Sequence, residues 1–98
     1  MRTHYLVLYD ITESKRLQKI HKICKGFGRW IQYSVFSAEL SALELEQFKR
    51  KLSRYVASED QILFIRMSVV KTGEDPLENR VEWLGRKYAT FRPESMII

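Results

Sequence analysis

Asp10 is the residue of this chain whose type and position best suit a catalytic or metal-binding role. It directly follows Tyr5 to Tyr9, an apolar run that predicts a buried strand. Thr12 or Ser14, just beyond it, can cap a helix that follows. A carboxylate at this junction has an ordinary structural role, because it can accept hydrogen bonds from free N–H groups at the positive end of the helix. It could also bind Mg²⁺, which prefers hard oxygen donors.

A single carboxylate makes a poor metal site, so the functional interpretation of Asp10 depends on a second donor. Two copies of Asp10 brought together across a dimer axis would supply one. A metal held there could activate water or polarise a phosphate. Without a dimer, the capping role is the better interpretation.

Other catalytic motifs are missing from the sequence. His4 and His21 have no ligand partners at metal-binding spacing, and we expect both to be structural or solvent-facing. Cys24 lies in an apolar helical stripe, which indicates core packing. There is no phosphate-binding glycine loop, dinucleotide fingerprint or zinc motif.

The excess positive charge lies in the first third of the chain. Residues 1–35 contain seven Lys or Arg against two acidic residues, whereas residues 36–98 contain ten of each sign. Clustered charge of this kind favours contact with polyanions, nucleic acid above all, although solubility is the plainer explanation. A basic surface beside Asp10 would give salt-sensitive, sequence-independent phosphate contacts. The candidate residues are Lys15, Arg16, Lys19, Lys22, Lys25 and Arg29.

The predicted elements indicate one α+β domain with two helices on one face of a mostly antiparallel sheet. Leu17, Ile20, Ile23, Cys24 and Phe27 recur at helical spacing in the first helix, and Ser41 with Glu44 forms a capping box that begins the second. Strands are predicted at Tyr5 to Tyr9, Trp30 to Ala38, Ile62 to Met67 and Arg80 to Leu84. A ferredoxin-like β-α-β-β-α-β order requires residues 29–40 to bend into a hairpin, and one long strand is the alternative.

The first strand is apolar on both sides. Leu6 and Leu8 alternate with Tyr5, Val7 and Tyr9, so both faces of the sheet carry apolar side chains. Two helices can cover only one face, and we therefore expect a second subunit to cover the other as a homodimer.

Several short motifs together resemble the CRISPR-associated protein 2 family, the small subunit of the CRISPR spacer-acquisition machinery. They are Y-L-V-L-Y-D at 5–10, Lys15-Arg16-Leu17, Gly28, Q-x-S-V-F at 32–36 and Leu84-Gly85. The resemblance covers roughly residues 3–85, and its specificity comes from the order and spacing of the pieces.

The resemblance implies a ferredoxin-like homodimer with domain limits 1–85 and a C-terminal tail, 86–98, that supplies a fifth strand to the partner. It implies a Mg²⁺-dependent endonuclease acting on RNA or DNA, with Asp10 as catalytic residue and metal ligand. It also implies a role as the scaffold between two dimers of the CRISPR integrase subunit, holding a short DNA duplex. Ser37 departs from the family pattern, in which an acidic residue often follows the Phe.

Three functions stay open from the sequence. The first is a metal-dependent phosphodiesterase, whose expected nucleic-acid contacts are Lys15, Arg16, Lys19, Lys22 and Arg29. The second is a non-catalytic scaffold in which Asp10 is structural. The third is a single-stranded RNA-binding module with exposed aromatic residues, which requires a monomer. No apolar stretch approaches a membrane span and no signal-peptide pattern begins the chain, so we expect no membrane partner. The single cysteine, Cys24, fits a reducing cytoplasm, and the resemblance implies a prokaryotic origin.

Overall fold

The structure is a computed structural model that describes residues 1–78 and 80–87. Helices and strands alternate along the chain, and their bounds are β1 Arg2–Asp10, α1 Ser14–Phe27, β2 Arg29–Gln32, β3 Val35–Leu40, α2 Ala42–Ser53 and β4 Gln61–Val70. The four strands form one antiparallel sheet in the order β2-β3-β1-β4. This confirms the α+β class and the ferredoxin-like β-α-β-β-α-β order.

The stretch expected at Trp30 to Ala38 is a hairpin and not one strand. Strands β2 and β3 pair antiparallel, and only Tyr33 and Ser34 lie between them. Tyr33 has a backbone φ of 38°, a conformation that non-glycine residues rarely adopt. The indole N–H of Trp30 donates to the carbonyl oxygen of Tyr33 at 2.8 Å, which holds the turn.

The hydrophobic core lies between the sheet and the two helices. Tyr5, Val7 and Tyr9 of β1 alternate onto this side and are buried. Cys24 is buried in the same core, as its position in the apolar stripe predicts, and burial raises the pKa of its thiol to about 12. Other core side chains are Ile20, Phe36, Ala38, Leu40, Phe48 and Leu52.

Both helices begin at a side-chain cap, but one cap was predicted wrongly. The side chain of Glu13, and not Thr12 or Ser14, accepts the N–H groups of Lys15 and Arg16 at the start of α1. The N–H and hydroxyl of Thr12 donate to Asp60, and its hydroxyl oxygen accepts from the guanidinium of Arg16 instead of from a helix N–H group. At the start of α2 the predicted capping box is present, with both reciprocal hydrogen bonds made.

The strand predicted at Arg80 to Leu84 is wrong. Residues 80–84 form turn and irregular structure in the described part of the chain, and the hairpin supplies the additional strand instead. Residues 81–84 line a cleft together with residues of the β2–β3 hairpin. Most of the 86–98 tail, from residue 88 onward, lies outside the described residues.

The side of the sheet opposite the helices is covered only in part. Arg29 forms an ion pair of 2.6 Å with Asp75, and Arg80 donates to Ser68 at 2.9 Å, so Asp75 and Arg80 are fastened over one end of this face. Leu63 and Ile65, which pair with Leu8 and Leu6 of β1, remain 43% and 42% exposed. We call this apolar area, made of Leu6, Leu8, Leu63 and Ile65, the open face.

Candidate functional site

Asp10 is the last residue of β1 and is exposed. It continues the row of Leu6 and Leu8, because alternate residues of a strand point to the same side. Its side chain therefore projects on the side of the open face. Among residues 1–78 and 80–87, no hydrogen bond or ion pair engages its carboxylate.

The carboxylates near Asp10 in the sequence or structure are engaged, in contrast to it. Glu13 caps α1, and Asp60 accepts hydrogen bonds from Thr12 and Arg16. The capping role that the sequence allowed for Asp10 is thus carried by Glu13. An unengaged, solvated carboxylate at a strand end is available to bind a ligand.

A shallow groove of about 550 Å³ lies beside Asp10. Helix α1 forms one wall with Leu17 and His21, and the hairpin turn forms the other with Tyr33 and Ser34. The N–H of Tyr9 donates to the carbonyl oxygen of Ser34 at 3.1 Å, which ties the turn to the end of β1. Three separate segments of the chain therefore meet at the carboxylate.

Asp60 fixes the loop that follows Asp10. Its fully buried carboxylate accepts the N–H of Thr12 at 2.9 Å, the N–H of Ala57 at 2.9 Å and the Nε–H of Arg16 at 2.9 Å. The Arg16 hydrogen bond, followed by that of the Thr12 N–H, holds the pKa of Asp60 well below its ordinary value. Sequence analysis missed this role, because Thr12 and Arg16 lie more than 40 residues from Asp60 in the chain.

Tyr9 and His21 form a second polar contact next to the groove. A hydrogen bond of 2.7 Å joins the Tyr9 hydroxyl to Nδ1 of His21. Burial raises the pKa of Tyr9 to about 12, and burial together with Lys25 lowers the pKa of His21. The imidazole therefore stays largely neutral at pH 7 and orients the tyrosine, which is the structural role expected for it.

The predicted nucleic-acid contacts fall into two groups. Lys15, Lys19 and Lys22 are exposed on α1, and their spacing of four and three residues places them on one side of the helix. Arg16 and Arg29 are instead engaged by carboxylates. Their roles in phosphate binding stay predictions, and each guanidinium would have to share or leave its present partner.

Carboxylates hold the guanidinium groups of both Arg16 and Arg29. Besides Asp60, the guanidinium of Arg16 contacts Glu59 at 3.0 Å and Glu13 at 3.8 Å. Arg29 is buried against Asp75 with only 9% of its side chain exposed. The exposed cations of α1 are therefore lysines, and none of them lines the groove of Asp10.

The donors of one chain are too few for a metal site. Asp10 offers the hard oxygen that Mg²⁺ prefers. In the part of the chain that the structure describes, however, no three His, Cys, Asp or Glu residues are grouped as metal ligands. The carboxylate oxygens of Asp10 suit Mg²⁺ chemically. The number of protein donors suits a metal site only when Asp10 of a second copy of the chain is brought to the first.

Within the described ranges, none of the helices combines the length and apolar character that crossing a bilayer requires.

Comparisons with known proteins agree with the fold and the motifs. A family model described as "CRISPR associated protein Cas2" matches residues 1–73. CRISPR-associated endoribonuclease Cas2 1 of Rhodospirillum rubrum is 33% identical over 95 residues, covering 96% of this chain and 89% of the relative. CRISPR-associated endoribonuclease Cas2 2 of Thermodesulfovibrio yellowstonii is 41% identical over 58 residues, covering 59% of this chain and 64% of the relative.

A solved structure extends this similarity to three dimensions. The crystal structure of Streptococcus pyogenes Cas2 superposes with a TM-score of 0.65 at 28% identity, covering 84% of this chain and 99% of that one. The family match at residues 1–73 spans most of the described fold and includes Asp10. We conclude that the chain belongs to the Cas2 family of CRISPR-associated proteins.

Proposed function

We propose that the chain acts as a homodimer that hydrolyses phosphodiester bonds of nucleic acid, with Asp10 of each copy at a shared Mg²⁺ site. We place this activity in CRISPR spacer acquisition in the cytoplasm of a prokaryote, alongside the integrase subunit. The observation that carries the proposal is the exposed Asp10 carboxylate, which no described residue engages. The relatives are named endoribonucleases, which favours RNA as the substrate.

The open face supports the dimer. Leu63 and Ile65 are each more than 40% exposed next to Leu6 and Leu8, and a contiguous apolar area of this kind marks an interaction surface. Asp10 lies on the same side of β1. An isologous contact through the open face would therefore bring the Asp10 side chains of the two copies toward one axis.

Different residues of the chain would have different roles in the proposed reaction. The two Asp10 carboxylates would hold the ion, and Lys15, Lys19 and Lys22 would bind backbone phosphates on either side. Asp60 keeps the loop after Asp10 in place through the N–H of Thr12. When bound, Mg²⁺ supplies Lewis-acid stabilisation of charge on the phosphate and lowers the pKa of a coordinated water.

The Asp10→Ala variant tests the proposal. Cleavage of a labelled single-stranded RNA in Mg²⁺ should fall at least about 10- to 100-fold, the loss that even outer partners of a metal ligand cause. The free energy of unfolding should change by less than about 0.5 kcal/mol, because Asp10 makes no side-chain contact that the fold uses. Cleavage that persists in the highly purified variant would contradict the proposal.

Glu46→Ala is the matched control for Asp10→Ala. Glu46 lies on α2, away from the groove, and also carries a carboxylate at the surface. Its removal changes the net charge by the same amount and should leave cleavage unchanged. Cleavage that falls equally in both variants would show that net charge, and not the position of Asp10, matters.

A second candidate function is a non-catalytic scaffold that binds duplex DNA and bridges integrase dimers. The lysine row on α1 favours it, because Lys15, Lys19 and Lys22 are exposed for phosphate contacts whether or not Asp10 takes part. In that case Asp10→Ala supports spacer acquisition, whereas Lys19→Glu with Lys22→Glu does not. Parallel assays of RNA cleavage and spacer insertion on these variants separate the two functions.

A further inference from the structure

An aromatic and basic cleft lies next to the Asp10 groove, on the far side of the hairpin turn. It has a volume of about 660 Å³ and lies between the β2–β3 hairpin and residues 81–87. Trp30 and Tyr33 come from the hairpin, and Trp83, Arg86 and Lys87 come from the C-terminal segment. We define these five residues as the aromatic cleft.

Tyr33 connects the cleft to the candidate catalytic carboxylate. Its side chain lines both the aromatic cleft and the groove of Asp10, and it is 89% exposed. A φ of 38° at a non-glycine residue is strained, and such strain is concentrated at ligand-binding positions. A large aromatic ring that is exposed to solvent at this position contributes little to the core. Contact with a ligand therefore explains its presence better.

One ring of the cleft is anchored, and another has a cation beside it. The Trp30 N–H donates to the Tyr33 carbonyl oxygen, so the indole is anchored to the turn. Trp83 is 48% exposed, and the ammonium of Lys87 lies 5.3 Å from its ring centroid. An ordered aromatic surface with adjacent positive charge is the arrangement that binds nucleobases and their phosphates together.

We propose that the aromatic cleft is a nucleobase-stacking subsite for single-stranded nucleic acid whose neighbouring phosphate lies at Asp10. The charge of the lining supports this occupant, since Arg86 and Lys87 outnumber Glu82. Bases inside a duplex are already stacked and paired, so only an unpaired strand could offer them to these rings. The proposal rests on the proposed function and deepens it, because it names the strand that enters the active site.

Tryptophan fluorescence tests the subsite directly. The only tryptophans of the 98-residue sequence are Trp30 and Trp83, and both line the cleft. Wild-type protein in EDTA is titrated with hexauridylate, and in parallel with an abasic hexamer carrying the same number of phosphates. We expect saturable quenching by hexauridylate and about tenfold or more weaker binding of the abasic chain, the effect of losing base stacking. Equal affinities and equal quenching would overturn the proposal.

Tyr33→Gly separates binding from folding. Glycine adopts a positive φ without strain, so the midpoint of urea unfolding should stay the same or rise. Hexauridylate binding should nevertheless weaken about tenfold, whereas Tyr33→Phe should retain it because the ring is kept. Leu43→Ala is the control, since Leu43 is 68% exposed on α2 and does not line the cleft, and it should leave the affinity unchanged. Unchanged affinity in Tyr33→Gly would contradict the subsite.

The competing occupant of the cleft is a second copy of the chain. Sedimentation of Trp83→Ala distinguishes it: an unchanged mass together with weaker binding supports the subsite, and conversion from dimer to monomer overturns it. The test is independent of catalysis. Quenching without Asp10-dependent cleavage would support the subsite and reject the nuclease. Asp10-dependent cleavage without base-dependent quenching would support the nuclease and reject the subsite.

Discussion

Among the individual residues, Asp60 combines structural and positional roles. It joins the end of the α2–β4 loop to Thr12 and Arg16, two and six residues after Asp10. Each of its contacts is a charge-assisted hydrogen bond, the stronger kind in proteins. Its loss would loosen the β1–α1 junction without removing any group from the groove.

We predict that Asp60→Asn lowers the urea midpoint at pH 7 and that the difference from wild type disappears in acid. The pKa of Asp60 is lowered by folding, so the stability it contributes is present above its ordinary value near 4. That contribution is lost as the pH falls through the folded-state value. Glu59→Gln is the control, because Glu59 meets the same arginine with a side chain that is 57% exposed. Equal effects of the two substitutions would argue against a special role for Asp60.

His4 supplies a second pH dependence. It is buried, its Nε2 shares a hydrogen bond of 2.8 Å with Ser37, and its Nδ1 has no hydrogen-bond partner among the described residues. Burial, followed by the charges of Arg80 and Arg29, lowers the pKa of His4, while Asp75 opposes them. The fold therefore holds His4 in its neutral form.

We predict that the free energy of unfolding falls as the pH is lowered from about 7 to 5. The unfolded chain takes up a proton near the ordinary histidine value of 6.5, whereas folded His4 resists it. The stability tied to neutral His4 is thus present above that value and is lost as the pH falls through the folded-state value. His4→Gln should flatten the curve, measured by urea unfolding at several pH values. An equally steep curve in this variant would assign the effect to another group, with His21 the next to test.

Among the helices and strands, the junction of α1 with β3 depends on Gly28. A Cβ atom at this position would lie 2.6 Å from the carbonyl oxygen of Ser37 and 3.1 Å from the Cβ of Ala38. The end of α1 can approach β3 this closely only without a side chain. The constraint is steric and does not involve φ, since the backbone of Gly28 is extended.

We predict opposite effects for two neighbouring glycine substitutions. Gly28→Ala should destabilise the fold by about 1–3 kcal/mol, the usual cost of forcing extra atoms into a packed site. Gly26→Ala should stabilise it by about 0.5–1 kcal/mol, because Gly26 lies within α1 and a methyl group added there would meet nothing within 4 Å. Denaturant unfolding measures both. Similar changes in the two variants would contradict the close approach at Gly28.

For the molecule as a whole, the open face determines the proposed assembly. Ile62 and Phe64 of β4 pack against the core on one side, but Leu63 and Ile65 on the other side meet solvent. Asp75 and Arg80 lie over the end of that side near His4 and leave the part near Asp10 uncovered. The uncovered part is where a second copy would bring the two carboxylates together.

We predict that Leu63→Lys with Ile65→Lys produces a folded monomer without Asp10-dependent cleavage. Two charges on each open face would repel the same charges on the partner and leave them desolvated. Sedimentation equilibrium gives the mass, and circular dichroism checks the fold. Leu43→Lys is the control, because Leu43 is 68% exposed on α2, and it should leave the mass unchanged. A double variant that still forms a dimer would place the interface elsewhere.

Local patterns along the chain were enough to predict most of the elements and the two sides of the sheet. Helix spacing, the Ser41–Glu44 capping box and strand alternation are local, since side chains three or four residues apart meet on a helix and alternate residues share a side of a strand. These patterns identified both helices and the apolar core, and the role of Asp10 stays a prediction. They also raised the hairpin as one of two alternatives, but they could not choose between it and a long strand.

Contacts between residues far apart in the chain became visible only in the folded protein. The fold gives the α1 cap to Glu13, because Asp60 engages Thr12, and it takes Arg16 and Arg29 into ion pairs with residues 44 and 46 positions away. It replaces the expected strand at 80–84 with turn and irregular structure, part of which lines the aromatic cleft together with the hairpin. Such contacts follow from packing and charge pairing in three dimensions, and no periodicity along the chain encodes them.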